Sequence, residues 1–428
     1  MNNTKCPRLG RGGRLLTCVL LLSAPAHAMG QDVWTLDASV RRILDIAPEN
    51  RGASAEVEAR RGALRQAGAW PNPTIELRGD DKIGKDEGVG GLDLTQVVLS
   101  QPLPLSGRIG HRRAVAKAEL SSARAAQNYQ QLLLETEAAR HFHALQLAGA
   151  RLNLAQQRLQ LADELQNAGR RRQEAGELAQ LDRLRLDLLR EAAQQILDVA
   201  EGRYNEVLSR FRTSLGFPAA HVPRLAPLEH FGPIPDLERL RAGLSGHPAL
   251  EATRQRIGAK RSAVELLRSE RLPDPVLRFY SERDFLNGRR QNVIGIGIAV
   301  TVPLWDLKSG RISEARARVN KTQFQLQALE RDLSGRLEQN HLHLTHLVGQ
   351  GENHRVRVFE PAREVFELTR KAYAAGEVGI LSLIDANNTY FDAFGRYLEL
   401  LQEAWLEAAE LRLAAGQSLI TTDRDGQS

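Results

Sequence analysis

The sequence predicts a mainly α chain with a small β part, built from long coiled-coil helices and four strands that cannot close a barrel alone. Three observations predict it. A unit of about 200 residues occurs twice in the 428-residue chain. Apolar residues recur every seven positions through long stretches poor in proline. And residues 292–302 alternate, with Ile294, Ile296, Ile298, Val300 and Val302 on one face and Gly295, Gly297, Ala299 and Thr301 on the other.

Taken in order, the N-terminus comes first. Residues 1–14 carry Lys5, Arg8, Arg11 and Arg14 and no acid, followed by the apolar run 15–22 and Ala26-His27-Ala28. That is the pattern of a secretory signal peptide, 1–28. Its removal would leave 54 basic against 52 acidic groups and no cysteine, since Cys6 and Cys18 both leave with it. Disulfides, thiol catalysis and Cys-ligated metal are then excluded. The basic footprint that nucleic acid requires disappears too, so no nucleic-acid partner is expected. Cys18 lies inside the apolar run rather than after it, so no lipid anchor is expected. No later run of about 18 apolar residues exists to form a spanning helix, a test that β-barrel strands escape.

The repeat is carried by short matches in constant order. Pro71-Asn72-Pro73 recurs as Pro273-Asp274-Pro275, and Ser106-Gly107-Arg108-Ile109 as Ser309-Gly310-Arg311-Ile312. Pro104-Leu105 recurs as Pro303-Leu304, His141-Phe142-His143 as His341-Leu342-His343, and Ala175-Gly176-Glu177 as Ala375-Gly376-Glu377. The offset stays between 199 and 203. The expected organisation is a first repeat (29–216), a Pro-rich connector (217–235), a second repeat (236–417) and a disordered tail (418–428).

Each half follows one plan. A helical segment (36–69, then 237–271) ends at Pro-x-Pro. A strand follows (74–78, 276–281), then a polar loop (80–91, 282–291) and a returning strand (92–101, 292–302). Proline stops that strand, and Ser106 or Ser309 is placed to cap the next helix. Long helices are expected from 108 to about 168 and from 311 to about 375. Their seams read Leu145, Leu152, Leu159; Ile312, Val319, Leu326, Leu333, Leu347 with Asn340 in register; and Ile384, Phe391, Leu398, Trp405. Gly349 and Gly351 are expected to interrupt the second long helix. Four strands leave open edges that lipid does not tolerate, so the chain must share a barrel with other copies.

Pro71-Asn72-Pro73 before a strand, residues 101–108 (Gln-Pro-Leu-Pro-Leu-Ser-Gly-Arg) after it, the two-fold repeat and the paired Ala-Gly-Glu turns together resemble the TolC-type outer-membrane efflux proteins. The wording of the first half is nearest the heavy-metal (cobalt-zinc-cadmium) branch. The resemblance covers essentially the whole mature chain. It implies a homotrimer with a 12-stranded outer-membrane barrel and a helical tunnel through the periplasm. It further implies a periplasmic adaptor and an inner-membrane pump of the resistance-nodulation-division (RND) type as partners, with outer-membrane lipid around the barrel. The function implied is a passive conduit, with divalent metal cations as one candidate cargo. Drug efflux, type I protein secretion and a secreted long-helix scaffold are the alternatives.

By the same resemblance, Ala175, Gly176, Glu177 and Leu178 with Ala375, Gly376, Glu377 and Val378 are periplasmic tips facing the adaptor. Asp182 and Asp385 stand just past them in similar contexts, and Asp385 is the leading gate candidate. A second gate acid of some relatives is Ser382 here, and a basic latch residue is Val378.

No catalytic residue, cofactor or metal ligand is assigned, and no enzyme is expected. Gly88-Val-Gly-Gly and Gly295-Ile-Gly lack the strand–turn–helix setting of a phosphate loop. Of His141, His143, His341, His343, His346 and His354, pairs two apart on a helix diverge by about 160° and cannot share an ion.

Overall fold

This computed structural model describes residues 33–81, 92–228, 231–286 and 289–419. The expected leader with both cysteines, most of the first polar loop and the tail from residue 420 lie outside the described residues. Along the chain run α1 (Leu36–Ile46), α2 (Pro48–Ala67), β1 (Thr74–Asp81), β2 (Leu92–Pro102), α3 (Arg108–Glu174), α4 (Gln180–Ser214), α5 (Leu237–Gly243), α6 (Pro248–Ser269), β3 (Val276–Leu286), β4 (Arg289–Ala299), α7 (Ser309–His354), α8 (Glu360–Ala375) and α9 (Ile380–Ala415).

The first helical segment of each half is two helices rather than one. Ala47 and His247 take extended ψ of 125° and 127°, and Pro48 and Pro248 open the second helix. Proline forces the residue before it out of the helical region, while its own missing N–H costs nothing at a first helical position. The punctuation is present in the sequence as Ala-Pro and His-Pro, 200 residues apart.

The four strands form one antiparallel sheet in the order β1-β2-β3-β4, so that β2 of the first half pairs with β3 of the second. The register puts Ile75, Leu99, Phe279 and Ile296 in one row across all four strands, with Leu77 and Val97 alongside. This row is exposed, Ile294 beside it at 83%. The opposite face carries Glu76, Gln96, Glu282 and Arg278, and there a Cβ on Gly295 would meet the Tyr280 ring at 2.3 Å. The strands differ from the sequence expectation at their ends: β1 runs on to Asp81, β3 on to Leu286, and β4 is Arg289–Ala299 rather than 292–302. The loop expected at 282–291 is therefore mostly strand. Cross-strand pairing outweighs local polarity there.

Two further expectations are corrected. Ser106 and Ser309 do not cap the long helices. Gly107 (φ 72°) precedes α3 without a side-chain cap, and Ser106 instead reaches Asp274, at 3.4 Å. Lys308 (φ 53°) precedes α7, its N–H donated to Asp306 Oδ1 at 2.9 Å. Nor do Gly349 and Gly351 break the second long helix. The irregularity is a π-helical turn at Arg355–Phe359, one turn before Pro361. A wide turn accommodates the hydrogen bond that proline cannot make. Gly351 is buried where α7 packs on α9, and a Cβ on it would lie 3.9 Å from Leu400 Cβ, an ordinary contact.

The helices form rows rather than a bundle. Next to the sheet, α2 packs on α3, α3 on α6 and α6 on α7; farther away α4 packs on α3, α3 on α9, and α9 on α8. At 67 residues, α3 spans about 100 Å and belongs to both rows. The rows are one helix thick. On α6, Arg256, Lys260, Ala263 and Leu267 line a groove on one side, while Arg261, Glu265 and Arg268 line another on the opposite side.

The expected heptad seams lie in these contacts. Ile312 and Val319 pack on Ile257 and Val264, and lower down Leu344 and Leu347 join Leu400 and Leu411. Around the middle, α1 and the end of α4 wrap α3: Val40 and Ile43 meet Ala138, Phe142, Leu145 and Phe211. There Trp34 bridges to the connector through Arg224 O (2.7 Å) and Ala226 N (3.0 Å).

Candidate functional site

The chain reverses at two tips with the same backbone. After α3, Gly176 takes φ 78°, its N–H donates to Gln173 O at 2.9 Å, and Glu177 N–H donates to Arg172 O at 2.8 Å. After α8, Gly376 takes φ 79°, and the same two bonds run to Tyr373 O at 3.1 Å and Ala372 O at 2.8 Å. This is the Schellman ending, whose positive φ favours glycine. Ala175, Glu177, Ala375 and Glu377 project outward and are exposed. Leu178 and Val378 tuck back into an apolar cluster with Leu186, Tyr373, Ile380 and Leu383. Gly169 lets α4 approach α3 there, since a Cβ on it would lie 2.2 Å from Leu186 Cδ1.

The two acids are not repeat partners. Because α4 begins at Gln180 and α9 at Ile380, residue 182 corresponds to 382 and residue 185 to 385. The first half thus has Asp182 paired to Arg185 at 3.0 Å, where the second has Ser382 and Asp385. Asp385 is exposed and makes no ion pair or hydrogen bond among the described residues. Farther along the same side of α9 follow Asp392, bound to Arg158 at 3.2 Å, and Arg396. Matching the acids by their neighbours, Leu181 and Ile384, places them one helical turn out of register.

The groove that holds Asp392 and Arg396 has α3 as its floor, with α4 and α9 as walls. On α3 it uses Leu147 and Leu154, whereas a second groove nearer the sheet uses Glu119 and Ala126. These four share one heptad register, so both grooves run along one side of α3. The side facing α1, with Ala138, Phe142 and Leu145, lies elsewhere on the helix.

The histidines are dispersed. His143 is buried, its Nδ1 at 2.9 Å from Gln146 Oε1 and its ring stacked on Trp405. Burial lowers its pKa to about 4, with the Gln146 contact opposing that shift. His341 contacts Pro235 O, His343 contacts Glu407, and His354 contacts Ala393 O. His141 lies 3.6 Å from Glu137, and His346 is exposed. Among the described residues no three His, Cys, Asp or Glu side chains gather as a ligand set. His247 does not stand out in the sequence, yet it is 1% exposed. Its Nδ1 accepts Ala249 N–H at 3.1 Å, and its Nε2 lies 3.1 Å from Leu413 O, tying α6 to the end of α9. Its position just before Pro248 is the available signal.

A repeated helix–hairpin–helix unit, a four-stranded sheet with an apolar outer face and one-layer helical walls define a channel-type membrane protein. The outer membrane efflux protein family model matches residues 40–216 and 240–417, and the chain belongs to that family. Among curated relatives, the cobalt-zinc-cadmium resistance protein CzcC of Cupriavidus metallidurans is 23% identical over 404 residues, covering 92% of each chain. The nickel-cobalt-cadmium resistance protein NccC of Alcaligenes xylosoxydans xylosoxydans is 22% identical over 324 residues, covering 76% of this chain and 73% of that one. The open state of the Neisseria gonorrhoeae MtrE outer membrane channel superposes with a TM-score of 0.74 at 18% identity, over 92% of this chain and 91% of that one. The outer membrane protein VceC of Vibrio cholerae gives 0.71 at 16% identity, over 90% and 97%. The chain is an outer-membrane efflux channel protein, seated in the outer membrane and extending into the periplasm.

Proposed function

We propose that this chain is the exit duct of a tripartite efflux system, a homotrimer that carries divalent metal cations from an RND-type pump and its periplasmic adaptor across the outer membrane. It acts as a passive conduit and performs no covalent chemistry. The observation that carries the proposal is that the chain is open at both edges at two levels. Among the described residues, β1 and β4 each have one unpaired side in the sheet. In the tip-side row, the end helices α4 and α8 expose apolar residues: Leu181, Leu184, Leu188 and Val199 on one, Val365 and Leu368 on the other. Such edges are complementary head to tail, and a rotation that closes makes a ring. An antiparallel ring of three chains has twelve strands. Exposed Trp70 and Trp305 flank the strands at the helix junctions, Trp305 at 92%, where an aromatic belt meets the lipid headgroups.

The metal cargo is supported by the names of the two curated relatives, each of which is a resistance protein for cobalt and cadmium with zinc or nickel. The tips at 175–178 and 375–378 are the surfaces proposed to meet the adaptor. Asp385, with Ser382 one turn before it, is proposed to line the narrow periplasmic end; Asp182 is held by Arg185 and plays a lesser part.

The ring is tested with cysteines, since both native ones lie in the first 18 residues. Ile75→Cys on β1 and Ile298→Cys on β4 place two thiols too far apart to join within one chain, given the sheet order. A short bifunctional thiol reagent should give covalent trimers in outer-membrane fractions. Monomers alone would refute ring closure through these edges. Loss of cobalt, zinc or cadmium resistance in a deletion strain tests the cargo, and unchanged metal tolerance with altered drug tolerance would replace it.

A further inference from the structure

The groove nearer the sheet has a charge pattern that the efflux reading does not use. It holds about 600 Å³ between α2, α3, α6 and α7. Its acids are all engaged. Glu56 and Glu119 both bind Arg60, at 2.7 and 2.8 Å, and Glu314 binds Arg318 at 2.5 Å. Arg256, Lys260 and Arg311 line the same groove, and none of them makes an ion pair or hydrogen bond among the described residues. Two guanidinium groups and one ammonium group therefore share a concavity in which five cations stand against three acids. In a confined, low-dielectric cleft such charges raise the local concentration of anions well above bulk. Arginine forks in particular match the oxygens of phosphate-like groups.

The groove's position gives this consequence. It shares one side of α3, in one heptad register, with the groove that contains Asp392 and Arg396 beside the Asp385 stripe. If Asp385 faces the duct, so do these three cations, close below the strands. Arg311 is in the first turn of α7, which begins ten residues after β4 ends at Ala299.

We infer that Arg256, Lys260 and Arg311 form an anion-binding belt on the duct wall just below the barrel, which takes a soluble polyvalent oxyanion and opposes the cation preference of the acidic tip. The belt rests on the channel reading. In a trimer it presents nine such cations around one lumen. Cargo that leaves as a bare divalent cation has to pass it screened by bound anions, whereas cargo carried as an anionic complex is drawn through.

The test uses the purified full-length trimer in planar bilayers under a KCl gradient, with inorganic triphosphate as the probe. The variant is Arg256→Gln/Lys260→Gln/Arg311→Gln, and Arg256→Lys/Arg311→Lys keeps the charge. The wild type should show a chloride-to-potassium permeability ratio about threefold above the glutamine variant. Millimolar triphosphate should lower its conductance, and the lysine variant should retain most of both effects. Equal ratios and equal triphosphate response in wild type and glutamine variant would overturn the belt. Calorimetric titration of triphosphate into the detergent-solubilised trimer gives a readout that needs no pore. Binding lost in the glutamine variant supports the belt, and binding unchanged overturns it. Absence of any wild-type conductance would count against the channel reading, and the calorimetric comparison would then decide the belt by itself. Trimer bands on unheated gels show that each variant has assembled.

Discussion

The two halves of the chain share their backbone and differ in what they bury and what they pair. Both split a helix before proline, both turn at a Schellman glycine, and both end their last helix on a glycine of positive φ, Gly216 at 61° and Gly416 at 72°. The side chains diverge on that common frame. His143 is buried against Trp405 while its repeat partner His343 is exposed beside Glu407. Asp182 is neutralised by Arg185, while Asp385 has no such partner among the described residues. Duplication constrains turns and small residues, which the chain path requires, more tightly than charges, which only the assembled wall can judge.

The largest difference is expected at the histidines. His143 is held neutral in the folded chain with its pKa lowered to about 4 by burial. A histidine of depressed pKa contributes its full stability above the unfolded value of about 6.5, and loses it as pH falls toward the folded value. The loss amounts to about 3 kcal/mol by pH 4. His143→Phe should therefore gain about that much on the wild type between pH 7 and pH 4, measured by chemical unfolding of the detergent-solubilised protein. Glu135, its pKa raised by burial, gives the opposite slope, so the difference between the two proteins is the readout. A matching gain from His343→Phe would show that burial of His143 is not the cause.

Next come the two helix-ending glycines. A Cβ on Gly416 would lie 2.9 Å from His247 Cδ2 and 3.2 Å from the His247 backbone, which cannot yield. A Cβ on Gly216 would meet only Ile46 Cδ1, the mobile end of a side chain, at 2.8 Å. Each substitution to alanine costs about 1 kcal/mol for its positive φ, and Gly416→Ala should cost about 1–3 kcal/mol more by overpacking. Equal midpoint losses would show that the α5–α6 break is more compliant than its geometry suggests.

The smallest change in stability, and the most informative for transport, belongs to the tips. Asp385→Asn should lower the potassium preference of single channels about twofold or more, whereas Asp182→Asn should leave it near the wild type. Transplanting the first-half pair as Ser382→Asp/Asp385→Arg should abolish the preference. Indistinguishable records for all three would remove Asp385 from the pore.

Much of this is legible in the residues. Repeats in constant register mark the two units, sevens mark the seams, and alternation at 294–298 marks the outward face of the sheet. Where the residues mislead, the causes are physical. Strand ends at 282–291 depend on pairing with a partner strand that local polarity does not reveal. The interruption at Arg355–Phe359 follows from Pro361, whereas Gly349 and Gly351 suggest flexibility although α7 runs through both without a break. Adjacent leucine and isoleucine make the two acids look equivalent, but helix starts at 180 and 380 set the true alignment. In the upper groove Arg256 and Lys260 stand one turn apart on α6, but Arg311 joins them from α7, a juxtaposition that only the fold supplies.

A wall one helix thick has a further consequence at Lys260 and Arg261. They are neighbours in sequence, yet they line grooves on opposite sides of α6. On the proposed duct reading, one peptide bond separates the fluid inside the duct from the periplasm outside it. Thiol labels at these two positions would report two different compartments, each with its own ionic composition, pH and exposure to passing cargo.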